Sequence, residues 1–145
     1  MNRSRQRNRT GHSQKLSVLT LDCFGLTDRG RVRAENEDAF LVDRERGLFI
    51  VSDGMGGHNA GGLASKIVVT VLPALIREQQ SAVGSLTGAT AGHQLKAALT
   101  GLSADIRSRT EGVPGLEGMG ATVVLALGRG NRALIAHIGD SRAYR

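Results

Sequence analysis

The residues best suited to chemistry in this chain are carboxylates at the margins of apolar runs. Asp53 opens the run Asp53-Gly54-Met55-Gly56-Gly57-His58, just after Leu48-Phe49-Ile50-Val51-Ser52. A carboxylate fixed at the end of a buried strand, with open backbone behind it, is suited to holding a cation. Upstream, Arg33, Asn36, Glu37 and Asp38 form a second polar cluster that leads into Ala39-Phe40-Leu41-Val42, and Asp140 follows a third apolar run, Ala133 to Ile138. Glu37, Asp38, Asp53 and Asp140 offer hard oxygen ligands, which suit Mg²⁺ or Mn²⁺ better than zinc. Turn capping accounts for one such residue at a time, whereas a site assembled by folding accounts for all four.

The glycines from Gly54 to Gly62 invite a phosphate-loop reading, because glycine backbone cradles phosphates at helix N-termini. No Lys-Ser/Thr pair follows them, since Ser65-Lys66 has the reverse order, and Asp53 at the front would repel a phosphate without an intervening cation. Cys23 is the single cysteine, which excludes an internal disulfide and a cysteine-based zinc cluster. His12, His93 and His137 are read as structural or solvated, and His58 receives no catalytic role.

The elements that must position these residues follow from hydrophobic periodicity. Leu16 to Leu26 reads as a first strand running to the turn Asp28-Arg29-Gly30, Ala39–Val42 as a second and Leu48–Ser52 as a third, with Asp43 to Gly47 as the hairpin turn. Antiparallel pairing then brings Asp38 and Asp53 to the same end of one hairpin. Leu63, Ile67, Val71 and Leu75, with their neighbours Val68 and Leu72, recur at helical spacing behind the candidate N-cap Asn59, and Pro73 predicts a kink or an end before Gln80. Ser81–Thr90 reads as a loop, and Leu95, Leu99, Leu102 and Ile106 mark a second helix ending at Glu111–Gly115. Ala121–Leu127 and Ala133–Ile138 flank the turn Gly128-Arg129-Gly130-Asn131 as a β-hairpin. Strands, two helices and strands again predict an α+β layered domain over residues 16–145.

The net charge of +6 in 145 residues suggests a nucleic-acid partner until its location is considered. Arg3, Arg5, Arg7, Arg9 and Lys15 leave only +1 for residues 16–145, so the expectation is a disordered basic tail over 1–15 and a nearly neutral body. The tail lacks the aromatic residues that single-strand binders interleave with basic ones, which argues against a nucleic-acid partner. No stretch is read as reaching the roughly 20 apolar residues of a membrane span, and the expected location is cytoplasmic.

Four blocks together resemble the metal-dependent protein phosphatases of type 2C, in particular the bacterial branch. They are Thr27-Asp28-Arg29-Gly30 with Arg33-Ala34-Glu35-Asn36-Glu37-Asp38; Val51 to His58; Gly118-Met119-Gly120-Ala121-Thr122; and Gly139-Asp140-Ser141-Arg142-Ala143-Tyr144-Arg145. The resemblance implies an α-β-β-α sandwich of antiparallel sheets flanked by helices, present here only in part, with two Mg²⁺ or Mn²⁺ ions at one end. It implies that Asp53 bridges both ions, that the Gly54 carbonyl holds one, and that Glu37 and Asp38 bind directly or through water. Asp140 resembles a ligand of a third, weaker site, and Arg33 the residue that grips the substrate phosphate. Phosphoserine and phosphothreonine proteins are the implied substrates, attacked in line by a metal-bridged water in a signalling context.

The chain departs from the family at Met55, where many eukaryotic members carry a histidine. The Asp-Gly and Asp-Asn blocks of the family's second half also have no counterpart here, so the chain is expected to be the N-terminal half of the domain, with impaired or no activity alone. The alternatives are a non-catalytic phosphatase-like binding module, or one half of a split enzyme whose other chain supplies the missing part. A nucleic-acid role for the tail is a distant third.

Overall fold

The computed structural model describes residues 21–57, 60–83 and 88–145. The basic tail, the Leu16–Thr20 part of the expected first strand, His58 and the Asn59 cap lie outside them. Five strands and two helices follow in the order β1 (Asp38–Asp43), β2 (Leu48–Met55), α1 (Ala60–Val83), α2 (Gly88–Thr110), β3 (Gly120–Ala121), β4 (Val123–Arg129) and β5 (Arg132–Ile138). All pairings are antiparallel: the sheet runs β1-β2-β4-β5, and β3 continues beyond β4 along the end of β2. The predicted α+β class is observed, as a single sheet with both helices on one face.

Alternation in β2 decides which face is which. Leu48, Ile50 and Ser52 are buried towards the helices, while Phe49, Val51 and Asp53 stand on the outer face. Leu125, Val123 and Leu127 of β4 join the inner set and pack against Val68, Leu72 and Ile76 of α1 and Leu95, Leu99 and Leu102 of α2. Burial of such side chains stabilises by roughly 1.5–3 kcal/mol each. The outer face stays open, with Val51 54% and Ile135 55% exposed.

Several expectations need correction. Residues 21–26 pair with no strand; they cross the outer face beside β1, held by the Arg44 guanidinium donating to the Cys23 carbonyl. Helix α1 passes through Pro73 and ends only at Val83, and α2 begins at Gly88, so most of the expected loop is helical. The buried row of α1 is Ala60, Ala64, Val68, Leu72 and Ile76: Val68 and Leu72 of the predicted stripe are buried, Ile67, Val71 and Leu75 are partly buried beside them, and only Leu63 is exposed. Burial of this row offsets the roughly 3 kcal/mol that proline costs inside a helix. The same richness in aliphatic residues makes Ala60–Gln79 long and apolar enough to cross a membrane by length and composition, with mean hydropathy 1.5, contrary to the sequence reading. The β4–β5 turn is only Gly130-Asn131, because Gly128 and Arg129 belong to β4 and Arg129 pairs with Arg132.

The two hairpins are joined at their turns. Gly128 N–H donates to the Gly47 carbonyl at 2.8 Å, and a Cβ on Gly47, whose φ is +62°, would come within 2.8 Å of the Gly128 carbonyl oxygen. The candidate site lies at the other end of the same strands.

Candidate functional site

The β1–β2 register sets Asp38 directly opposite Asp53, as the hairpin argument predicted. Cross-strand partners share a face, so both carboxylates project outward beside the apolar outer face. Asp38 is further tied by a small network: Thr27 Oγ1 donates to Asp38 Oδ2 at 3.3 Å, Asn36 Nδ2 donates to Thr27 Oγ1 at 3.1 Å, and Asp38 N–H donates to Asn36 Oδ1 at 3.1 Å. Thr27 and Asn36 thus orient the Asp38 carboxylate, a role the sequence reading gave to neither. The signal was present in the block beginning at Thr27.

Glu37 follows a different path. Its carbonyl accepts the Gly54 N–H at 3.1 Å, and its carboxylate lies over the first turn of α1, where a Cβ on Gly61 would come within 2.5 Å of Oε1. That turn contains no acidic residue of its own, so Glu37 supplies negative charge at the positive end of the helix. A Cβ on Gly54 would overlap the Gly61 carbonyl. Glycine at 54 and 61 therefore lets α1 press onto the end of β2, and Glu37 and Asp53 line the same cleft.

Arg33, Glu37, Asp38, Asp53, Gly54 and Met55 line a common cleft of about 480 Å³. Arg29 braces its rim by donating from Nη1 to the carbonyls of Arg33 (3.3 Å) and Ala34 (3.4 Å). Among the described residues Arg33 makes no ion pair, which leaves its guanidinium available to an anion. Clefts of about 500 and 570 Å³ elsewhere are lined mostly by aliphatic side chains, beside α2 and over the outer sheet face respectively.

Asp140 is not part of the cleft lining. It sits in the turn after β5, where Gly139 takes φ +96°, and its charge still reaches Asp53. The Asp53 carboxyl is pushed above the ordinary aspartate range, first by partial desolvation, then by the charges of Asp38 and Asp140, with Arg33 opposing. Among the described residues no three Asp, Glu, His or Cys side chains converge on one point as a ready cage for a metal ion. Carboxylates of like charge repel, so Asp38 and Asp53 are held side by side by a shared proton or by a cation. An all-oxygen donor set of carboxylates and a backbone carbonyl fits Mg²⁺ or Mn²⁺.

The sequence reading quoted Thr122 as the end of the Gly118 block and gave it no role of its own. It treated Ala121–Leu127 as one strand, whereas the ladder breaks at Thr122 between β3 and β4, beside Asp53.

Comparisons with known proteins bear on the family and the fold. The sequence profile described as protein phosphatase 2C matches residues 28–145. The chain is 41% identical over 127 residues to the serine/threonine protein phosphatase PstP of Mycobacterium tuberculosis, covering 88% of this chain and 23% of that protein. It is 36% identical over 121 residues to the serine/threonine phosphatase stp of Listeria monocytogenes, covering 81% of this chain and 47% of that protein. The chain thus spans half or less of these relatives. The solved catalytic domain of PstP in complex with two manganese ions superposes with a TM-score of 0.63 at 40% identity, over 79% of this chain and 46% of that one.

Proposed function

The chain belongs to the protein phosphatase 2C family, and on that premise we propose that it carries half of a metal-dependent phosphoprotein phosphatase site, acting on phosphoserine and phosphothreonine. The observation that carries the reading is the facing pair Asp38 and Asp53, with Arg33 on the same cleft. Asp53, Asp38, Glu37 and the Gly54 carbonyl would hold two Mn²⁺ or Mg²⁺ ions, and Asp140 a third, weaker one. Bound ions of this kind supply an activated water and neutralise charge developing on phosphoryl oxygens. Arg33 contributes a planar fork of donors that matches two phosphate oxygens and holds the group for in-line displacement. Glu37 and Gly54 fix the backbone on which the ligands stand.

The test is Mn²⁺-dependent hydrolysis of a phosphothreonine peptide by the purified chain. Turnover lost in Asp53→Asn supports catalysis by these residues. No turnover by the unaltered chain, with no Mn²⁺ binding, overturns the reading.

A second reading has its own support. The open outer face, with exposed Phe40, Val51 and Ile135, suits a further β-layer, supplied by the same polypeptide or by another chain. Mn²⁺ binding without turnover, and turnover restored by adding the remaining half of the domain, would favour the split form; no turnover even then would favour a non-catalytic module.

A further inference from the structure

The register that pairs Val51 with Val124 and Gly54 with Ala121 places Thr122 opposite Asp53. Two facing residues in an antiparallel ladder commonly exchange both backbone hydrogen bonds. Here only one is made: Thr122 N–H donates to the Asp53 carbonyl at 2.8 Å. Hydroxyls replace the other. Asp53 N–H donates to Thr122 Oγ1 at 3.1 Å, and the Thr122 carbonyl accepts from Oγ of the fully buried Ser52 at 2.7 Å.

Moving the Asp53 bond from a carbonyl to a hydroxyl adds a connection that backbone cannot make. A hydroxyl accepts and donates at once. Thr122 Oγ1 also lies 2.9 Å from Ser141 Oγ, in the turn that carries Asp140. The threonine methyl packs on the same turn, since a Cβ on Gly139 would come within 2.8 Å of Thr122 Cγ2. One side chain therefore touches the backbone of Asp53 and the Asp140 turn, two segments far apart in sequence.

We propose that Thr122 is a positioning residue whose hydroxyl holds Asp53 and the Asp140-Ser141 turn in register, so that cation affinity depends on that hydroxyl. The proposal rests on the metal-site reading above. A role confined to filling a ladder defect would affect stability alone.

The test is Mn²⁺ affinity of the 145-residue chain, read from the free-ion electron paramagnetic resonance signal, with melting in chelator measured in parallel. Thr122→Val keeps the shape and removes the hydroxyl, and should weaken Mn²⁺ binding by about 10–100-fold, the cost of losing an outer-shell partner. Thr122→Ser restores the hydroxyl and should recover most of the affinity. Ser141→Ala should give a smaller loss, and adding it to Thr122→Val should cost little more, because the two groups share one bond.

Thr122→Val binding as tightly as the unaltered chain overturns the proposal, as does Thr122→Ser binding as weakly as Thr122→Val. If Thr122→Val does not fold, Ser141→Ala decides: undiminished affinity overturns the link, and reduced affinity supports it. Loss of binding in Asp53→Asn with none in Thr122→Val sinks this inference and leaves the metal reading standing. Absence of Mn²⁺ binding by the unaltered chain sinks both.

Discussion

Asp38 and Asp53 face each other across the β1–β2 pair, with both carboxylates on the side away from the helices. Like charges directly opposite in a sheet are destabilising. Asp53→Asn should therefore raise the melting temperature of the metal-free chain, by a few tenths to about 1 kcal/mol of stability. The same change should abolish the thermal stabilisation that Mn²⁺ gives the unaltered chain. A melt series with chelator and with Mn²⁺ checks both. Lower metal-free stability in Asp53→Asn would contradict the account.

The pH dependence follows from the directions of two shifts. Asp53 has a raised pKa in the fold, so its contribution to stability is present below the ordinary aspartate range and lost as pH rises through the raised value. Asp43 is the opposite case: the Arg46 guanidinium and N–H hold its carboxylate below the ordinary range, and its contribution is lost as pH falls through the lowered value. The gain from Asp53→Asn in chelator should accordingly be larger near pH 7 than near about pH 4, and Asp43→Asn should weaken the fold mainly at neutral pH. Melting curves of the three proteins across that range test the signs.

The Gly54–Gly61 contact makes a steric prediction. Gly61→Ala puts a methyl within 2.8 Å of the Gly54 carbonyl carbon and 2.5 Å of Glu37 Oε1, so α1 or Glu37 must shift. Overpacking of this kind costs about 1–3 kcal/mol. Mn²⁺ affinity should fall with stability, whereas Gly92→Ala, inside α2 and with nothing near its Cβ, should leave affinity unchanged and raise stability by about 0.5–1 kcal/mol.

A core substitution should separate stability from the site. Leu72 is fully buried between α1 and the sheet, so Leu72→Ala should cost about 2–5 kcal/mol. Below its lowered melting temperature, the variant should bind Mn²⁺ as the unaltered chain does. Calorimetric titration at low temperature measures this.

Arg33 should act on substrate and not on metal. Arg33→Ala removes charge-assisted hydrogen bonds to phosphate worth about 1.5–3 kcal/mol, so KM for a phosphopeptide should rise roughly tenfold or more in a chain competent for turnover. Mn²⁺ affinity should change little, since Arg33 donates and cannot ligate.

The parts of this arrangement legible in the sequence were those with a local signature. Alternation and the charged turn Asp43–Gly47 fixed the hairpin that carries Asp38 and Asp53, because a period of two leaves a single register that buries Leu48 and Ile50. Competing local and tertiary effects were not legible. Pro73 argued for a kink or an early end, but α1 runs on to Val83 because the row from Ala60 to Ile76 is buried, a packing gain that propensity does not contain. Gly88 helped suggest a loop from Ser81 to Thr90, although it opens α2 and glycine only weakens a helix by about 1 kcal/mol. Thr122 was hidden by its β-branched shape, which suits an ordinary strand position; its hydroxyl bonds depend on Ser52, Asp53 and Ser141, brought there by the fold.

The open outer sheet face has a thermodynamic corollary. Val51 precedes Asp53 by two residues on that surface, so any layer that dries the aliphatic patch also lowers the dielectric around the carboxylates. Without a cation, that drying would carry an electrostatic penalty, and with one it would strengthen the bond. Ion binding and layer docking are then reciprocally linked: each tightens the other by the same factor.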